Sequence, residues 1–157
     1  MPHDSIRILV FVGTKGVHHD HVGQGRFLTE LLSQDPQIQA HLSRDYHIMA
    51  DSLHDYDATL FFTDKGNLTP KQEKGLLAFI EKGGGFFGLH TAAASFPHNA
   101  GYHQMLNGLF DGHSPYMDFT VKITDATHPI TVGLKDFSVT DELYYLKHDP
   151  TRSHHIM

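Results

Sequence analysis

The 157-residue sequence contains no cysteine. That excludes a disulfide framework, a thiolate metal site and a thiol nucleophile. No apolar run reaches about 18 residues, so no membrane-spanning helix is expected. The start, MPHDSIRILVFVG, has neither the basic opening nor the small-residue cleavage site of a secretory signal. A cytoplasmic protein with no membrane partner is the default expectation. Positive charge is scarce: 12 Lys and Arg stand against 18 Asp and Glu, a formal net charge of -6. A nucleic-acid footprint needs a basic face, so that partner class is excluded. Gly13, Gly16, Gly23 and Gly25 fit neither the P-loop nor the dinucleotide spacing, so no nucleotide is expected.

What the sequence has in excess is histidine, with 15 residues. Protonating all of them would reverse the sign of the net charge, so charge below about pH 6.5 is set by imidazole. Apolar residues make up 39% of the chain, and this length is expected to form one domain, residues 1–157, with a sizeable core.

Ile6 to Val12 (IRILVFV) reads as a strand covered on both faces. The loop VHHDH (residues 17–21) follows, then a helix over Gly23 to Gln34 with Phe27, Leu28, Leu31 and Leu32 on one face. Asp35 to Asp45 is polar and carries no assignment, and Tyr46 to Ala50 reads as a short strand. Asp57 to Thr63 is the third strand, and Asp64 to Asn67 turn out of it. Thr69, Pro70 and Gln72 form a helix start with a capping box. Leu76, Leu77, Phe79 and Ile80 give that helix its buried stripe, and Gly83 its left-handed stop.

Phe86 to Leu89 is the fourth strand. It runs into Gly88-Leu89-His90-Thr91-Ala92, the outline of a nucleophile elbow with histidine where Ser or Cys normally stands. A short helix around Tyr102 to Asn107 and strands over Asp118 to Thr124 and Asp136 to Val139 complete the chain. Strands alternating with helices at this spacing predict a parallel sheet with helices on both faces. The ligand site of such a sheet lies beyond the strands' carboxyl ends, where His18, His19, His21 and His90 all fall.

These segments together resemble the ThuA-like family, trehalose-utilisation domains of the class I glutamine amidotransferase-like fold. The residues that carry the resemblance are VHHDH (17–21), GGGFFGLHTA (83–92), LFDGH (109–113), THPIT (127–131) and DELYY (141–145). It implies a flavodoxin-like three-layer α/β/α fold with a mainly parallel sheet. Such domains continue into a further strand and helix that this sequence lacks, so a truncated domain that associates with itself through exposed apolar surface is expected. The family pattern places its recurrent polar positions on His19, His90, His113, His128, Asp141 and Glu142. His21, where the family has a hydroxyl residue, is set aside.

The resemblance implies a small-molecule sugar partner, a disaccharide or an oxidised derivative, for an enzyme whose reaction type is not in the sequence. Catalytic candidates are His90, Glu142 and Asp141. Candidates for sugar contact are His19, His113 and Tyr144. His19, His90 and His113 could converge as three imidazoles around a divalent metal such as zinc. A hydrogen-bonded histidine cluster that reads sugar hydroxyls without metal has equal standing. The alternative functions are a non-catalytic carbohydrate-binding domain and a scaffold derived from an amidotransferase. Glutaminase chemistry is excluded, because it needs a cysteine at the elbow. His128, before Pro129, reads as a turn-fixing residue, and His3, His54, His98, His154 and His155 as solvated.

Overall fold

In the computed structural model, residues 5–13, 19–149 and 151 are described. Residues 14–18, with His18, lie outside them, as do His3, His154 and His155. The chain divides into two compact units, residues 1–106 and 107–157.

The first unit is built on four strands, β1 (Ile6–Val12), β2 (Ile38–Ser43), β3 (Ala58–Phe62) and β4 (Gly85–Gly88). They pair in the order β2-β1-β3-β4, every pair parallel. This is the flavodoxin-like order, in which the direction of winding reverses between β1 and β3. Side chains of β1 alternate between two cores, as a period of two requires. Val10 and Val12 meet Phe62, with Leu28 and Leu32 of α1 (His21–Leu32) packed against them. Leu9 and Phe11 face the other way. There they join Met49 of α2 (His47–Asp51), Leu76 and Phe79 of α3 (Pro70–Glu81) and Tyr102 of α4 (Ala100–Leu106). The apolar run of β1 is therefore covered on both faces, and the unit has three layers.

Local signals account for most of these elements. Thr69 caps α3 through Gln72, whose side chain bonds back to the Thr69 N–H at 2.8 Å, with Pro70 in the first turn. Gly83 ends the region with φ +95°, and the N–H groups of Gly83 and Gly84 bond to Ile80 and Phe79. Leu28 and Leu32 of α1 point inward, whereas Phe27 and Leu31 are 62% and 47% exposed.

One expectation is corrected. Tyr46 to Ala50 is not a strand: α2 occupies it, and the second strand is Ile38–Ser43, inside the segment left unassigned. Asp45 accepts the His47 N–H at 2.9 Å, which starts a helical turn that buries Met49. Ile38, Ala40 and Leu42 are more buried than Gln39 and His41, a strand alternation diluted by polar partners on the sheet edge.

The second unit holds two antiparallel ribbons. Strands β5 (Leu109–His113) and β8 (Tyr144–Lys147) pair with an irregularity between Phe110 and Gly112. Strands β6 (Met117–Val121) and β7 (Phe137–Asp141) form the other ribbon. Among the described residues no helix is long and apolar enough to cross a membrane.

Candidate functional site

The carboxyl ends of β1, β3 and β4 bring one histidine cluster together. After β4, Leu89 stays in register, its N–H bonded to the Phe61 carbonyl at 2.9 Å. His90 then takes φ +49°, the left-handed region that costs a non-glycine residue about 1–2 kcal/mol. A tight 3-10 turn, His90–Ala94, follows. The neighbours here are small and close: a Cβ on Gly88 would stand 3.3 Å from that of Ala92. The turn is braced from beneath. The Tyr102 hydroxyl donates to the Ala92 carbonyl at 2.9 Å, and the Ser95 hydroxyl bonds to Thr63 at 2.7 Å and to the Thr91 carbonyl at 3.1 Å. Strain held in place this way clusters at functional sites, which makes His90 a candidate; Lys65, Phe96 and Asn107 also have positive φ.

His90 faces His19 across the edge, with their Nε2 atoms 3.3 Å apart and the rings edge-on. Both rings lie beside Phe62, at centroid distances of 6.4 and 6.1 Å. Asp20 caps α1 by accepting the Gly23 N–H at 2.9 Å, so its carboxylate is committed to the helix.

Two residues that were not among the candidates belong to this edge. His21 is the first residue of α1, only 4% exposed and packed edge-on against Phe62 at 4.7 Å. Its Nε2 has no hydrogen-bond partner among the described residues. Burial holds its pKa below the ordinary histidine value. Asp64 pulls it back in part, His19 lowers it further, Asp20 opposes, and His90 adds a smaller lowering. Asp64 follows the end of β3 and is itself buried. The signal that could have found it is its place at a strand's carboxyl end. The resemblance sets His21 aside, because the family has a hydroxyl residue at that position.

The remaining candidates lie in the second unit. His113 ends β5, with Nδ1 2.8 Å from the Ser114 carbonyl and 3.6 Å from Glu142 Oε1. Phe110 and Tyr144 lie beside its ring, at 6.2 and 6.3 Å. Asp141 ends β7, and its carboxylate accepts the Glu142 N–H. His128 fixes a turn: its Nδ1 accepts the Ile130 N–H and its carbonyl those of Thr131 and Val132. Within the first unit His19 meets His90, and within the second His113 lies beside Glu142 and Tyr144.

Metal geometry is met in part. Two imidazoles on one tetrahedral zinc at about 2.0–2.1 Å have nitrogens roughly 3.3–3.4 Å apart, which His19 and His90 match. Among the described residues, however, no group of three His, Cys, Asp or Glu is arranged to hold an ion. A cleft of about 480 Å³ opens at the other end of the sheet, lined in part by Asp51, Tyr56, Asp57 and Lys82. It contains none of these histidines.

A family profile described as ThuA, trehalose utilisation, matches residues 7–157. Two solved structures share the fold. A ThuA-like protein from Bacteroides uniformis ATCC 8492 aligns with a TM-score of 0.74 at 19% identity, over 90% of this chain and 61% of that one. Another, from Parabacteroides merdae ATCC 43184, gives 0.78 at 14% identity, over 92% and 64%. The chain therefore spans less than two thirds of the length of either. A comparison with curated proteins gives no match.

Proposed function

The chain belongs to the ThuA, trehalose-utilisation, family, and on that premise we propose that it is an enzyme acting on trehalose or a related, oxidised disaccharide at the His19–His90 edge. The observation that carries this reading is His90, held at φ +49° with its Nε2 3.3 Å from that of His19. Two imidazoles at that spacing share one proton, since one nitrogen must donate and the other accept. Each neutral ring carries one hydrogen, so the ring that donates from Nε2 holds its lone pair on Nδ1, where a proton taken from a sugar hydroxyl would sit until it is returned, which is general acid–base work. The faces of Phe62 and His90 stack at 28°, leaving an apolar wall beside the polar pair. Burial favours the neutral form of His21, which suits a site for an uncharged sugar.

Glu142 and Asp141, the candidate acids, and His113 and Tyr144, the candidate sugar contacts, belong to the second unit and are read as a group of their own. A divalent ion such as zinc would take His19 and His90 as ligands and polarise a sugar oxygen. The third ligand is not supplied by the described residues, and no step here depends on it. Tyr116 and Tyr145, 71% and 51% exposed, favour a second reading: a domain that binds sugar by aromatic stacking without turning it over.

Chromatography of products after incubation with trehalose and with its oxidised derivative separates these readings, alongside elemental analysis of the protein. Conversion lost in His90→Gln is the expected result. Binding without conversion favours the second reading, and neither binding nor conversion overturns both.

A further inference from the structure

We propose that His113 is a proton-accepting site whose tautomer the fold dictates, with Nδ1 carrying the hydrogen and Nε2 open to a hydroxyl-bearing ligand. The local backbone explains how this ring is aimed. The β5–β8 pairing slips between Phe110 and Gly112, and Gly112 takes φ +127°. A bulge of this kind re-aims the side chain that follows it. Ser114, 4% exposed, then clips β5 to the turn that carries Glu142. Its N–H donates to the Leu143 carbonyl at 2.9 Å, and its hydroxyl accepts the Leu143 N–H at 3.0 Å and donates to the Pro115 carbonyl at 2.7 Å. One buried serine therefore fixes both the end of β5 and the position of Glu142.

Both groups facing Nδ1 can only accept. The Ser114 carbonyl at 2.8 Å has no proton, and the Glu142 carboxylate at 3.6 Å has none when ionised. The single hydrogen of a neutral ring must then sit on Nδ1, which leaves the Nε2 lone pair free. The side chain is 45% exposed. Phe110 and Tyr144 flank the ring and limit its rotation. When a ligand hydroxyl transfers its proton, the O–H bond breaks, an Nε2–H bond forms and the electron pair stays on oxygen. The resulting imidazolium keeps its Nδ1–H on the Ser114 carbonyl, with the Glu142 carboxylate 3.6 Å away. Glu142 and Ser114 are positioning residues in this arrangement.

His128 supplies an internal contrast. Its Nδ1 accepts the Ile130 N–H at 3.2 Å, so its neutral ring must carry the hydrogen on Nε2. The two rings should therefore show opposite tautomers.

The ligand's identity rests on the sugar reading above; the tautomer does not. The test is long-range proton–nitrogen correlation on uniformly 15N-labelled protein at about pH 8.5, where ordinary histidines are neutral. His113→Gln and His128→Gln assign the signals. The expected result is hydrogen on Nδ1 for His113 and on Nε2 for His128. Hydrogen on Nε2 of His113 overturns the proposal. Diethyl pyrocarbonate, which acylates a free imidazole lone pair, should modify His113 at Nε2 at least tenfold faster than buried His21. Equal or slower reaction of His113 also overturns it. If both results hold but wild-type protein binds no trehalose, the sugar reading fails and the proton-accepting site stands.

Discussion

The Nε2 atoms of His19 and His90 lie 3.3 Å apart, although 71 residues separate them in sequence. Parallel pairing of β1, β3 and β4 produces this contact, because it sets the loop after β1 and the turn after β4 on one edge of the sheet. His90 meets its partner from a left-handed backbone position, so the contact is maintained against local strain.

That strain predicts an inverted substitution pattern. His90→Gly removes the left-handed penalty, whereas His90→Ala keeps it. The glycine variant should be more stable than the alanine variant by about 1 kcal/mol, with both losing ligand binding. Urea denaturation of the pair checks this, and an alanine variant at least as stable would contradict it.

His21 predicts a dependence on acid. Its folded pKa lies below the ordinary value of 6.5, so the unfolded chain binds a proton more readily than the folded one. Stability from this group is intact above 6.5 and falls as pH drops below it, levelling off beneath the folded pKa. His21→Gln should lose less stability than wild type between pH 7.5 and 5.5. Equal losses in paired denaturation curves would show that His21 is not the sensor.

Gly75 predicts a purely structural lesion. A Cβ there would stand 2.0 Å from the Met49 carbonyl oxygen, forcing α2 away from α3. Gly75→Ala should cost about 1–3 kcal/mol, lowering the melting temperature by roughly 2–4 °C for each kcal/mol. Ligand affinity measured well below the melting point should be unchanged.

The elbow predicts no glutaminase. A thiolate is required at the position His90 holds, and the chain has no cysteine. Ammonia release from glutamine should equal the buffer control in wild type and in His90→Ala. Release above that control in either protein would contradict the reading of the elbow.

The fold was legible where one signal sufficed. Continuous burial of β1, the capping box at Thr69 and the stop at Gly83 each depend on a few neighbouring residues. The segment from Asp35 to Ala50 misled because Ile38, Ala40 and Leu42 alternate with polar residues, while the denser apolar group Tyr46, Ile48 and Met49 belongs to a helical turn buried by tertiary packing. At the site, Gly88 and Ala92 gave away the elbow, and strand ends pointed to His19. His21 and Asp64 were hidden because their burial depends on where α1 starts and on which strands lie side by side. The setting of His113 depends on the Ser114 clip, which joins residues 29 apart in sequence.

The central claim is that the His19–His90 pair binds ligand rather than merely packing. Calorimetric titration with trehalose and its oxidised derivative, run with thermal melts on wild type, His19→Ala, His90→Ala and the double variant, tests it most directly. His54→Ala, at a side chain 76% exposed, serves as control. The account predicts at least a tenfold loss of affinity in each single variant, no further loss in the double, and stability within about 1 kcal/mol of wild type. Affinity unchanged in His90→Ala, or a His90→Ala protein that no longer folds, would contradict it.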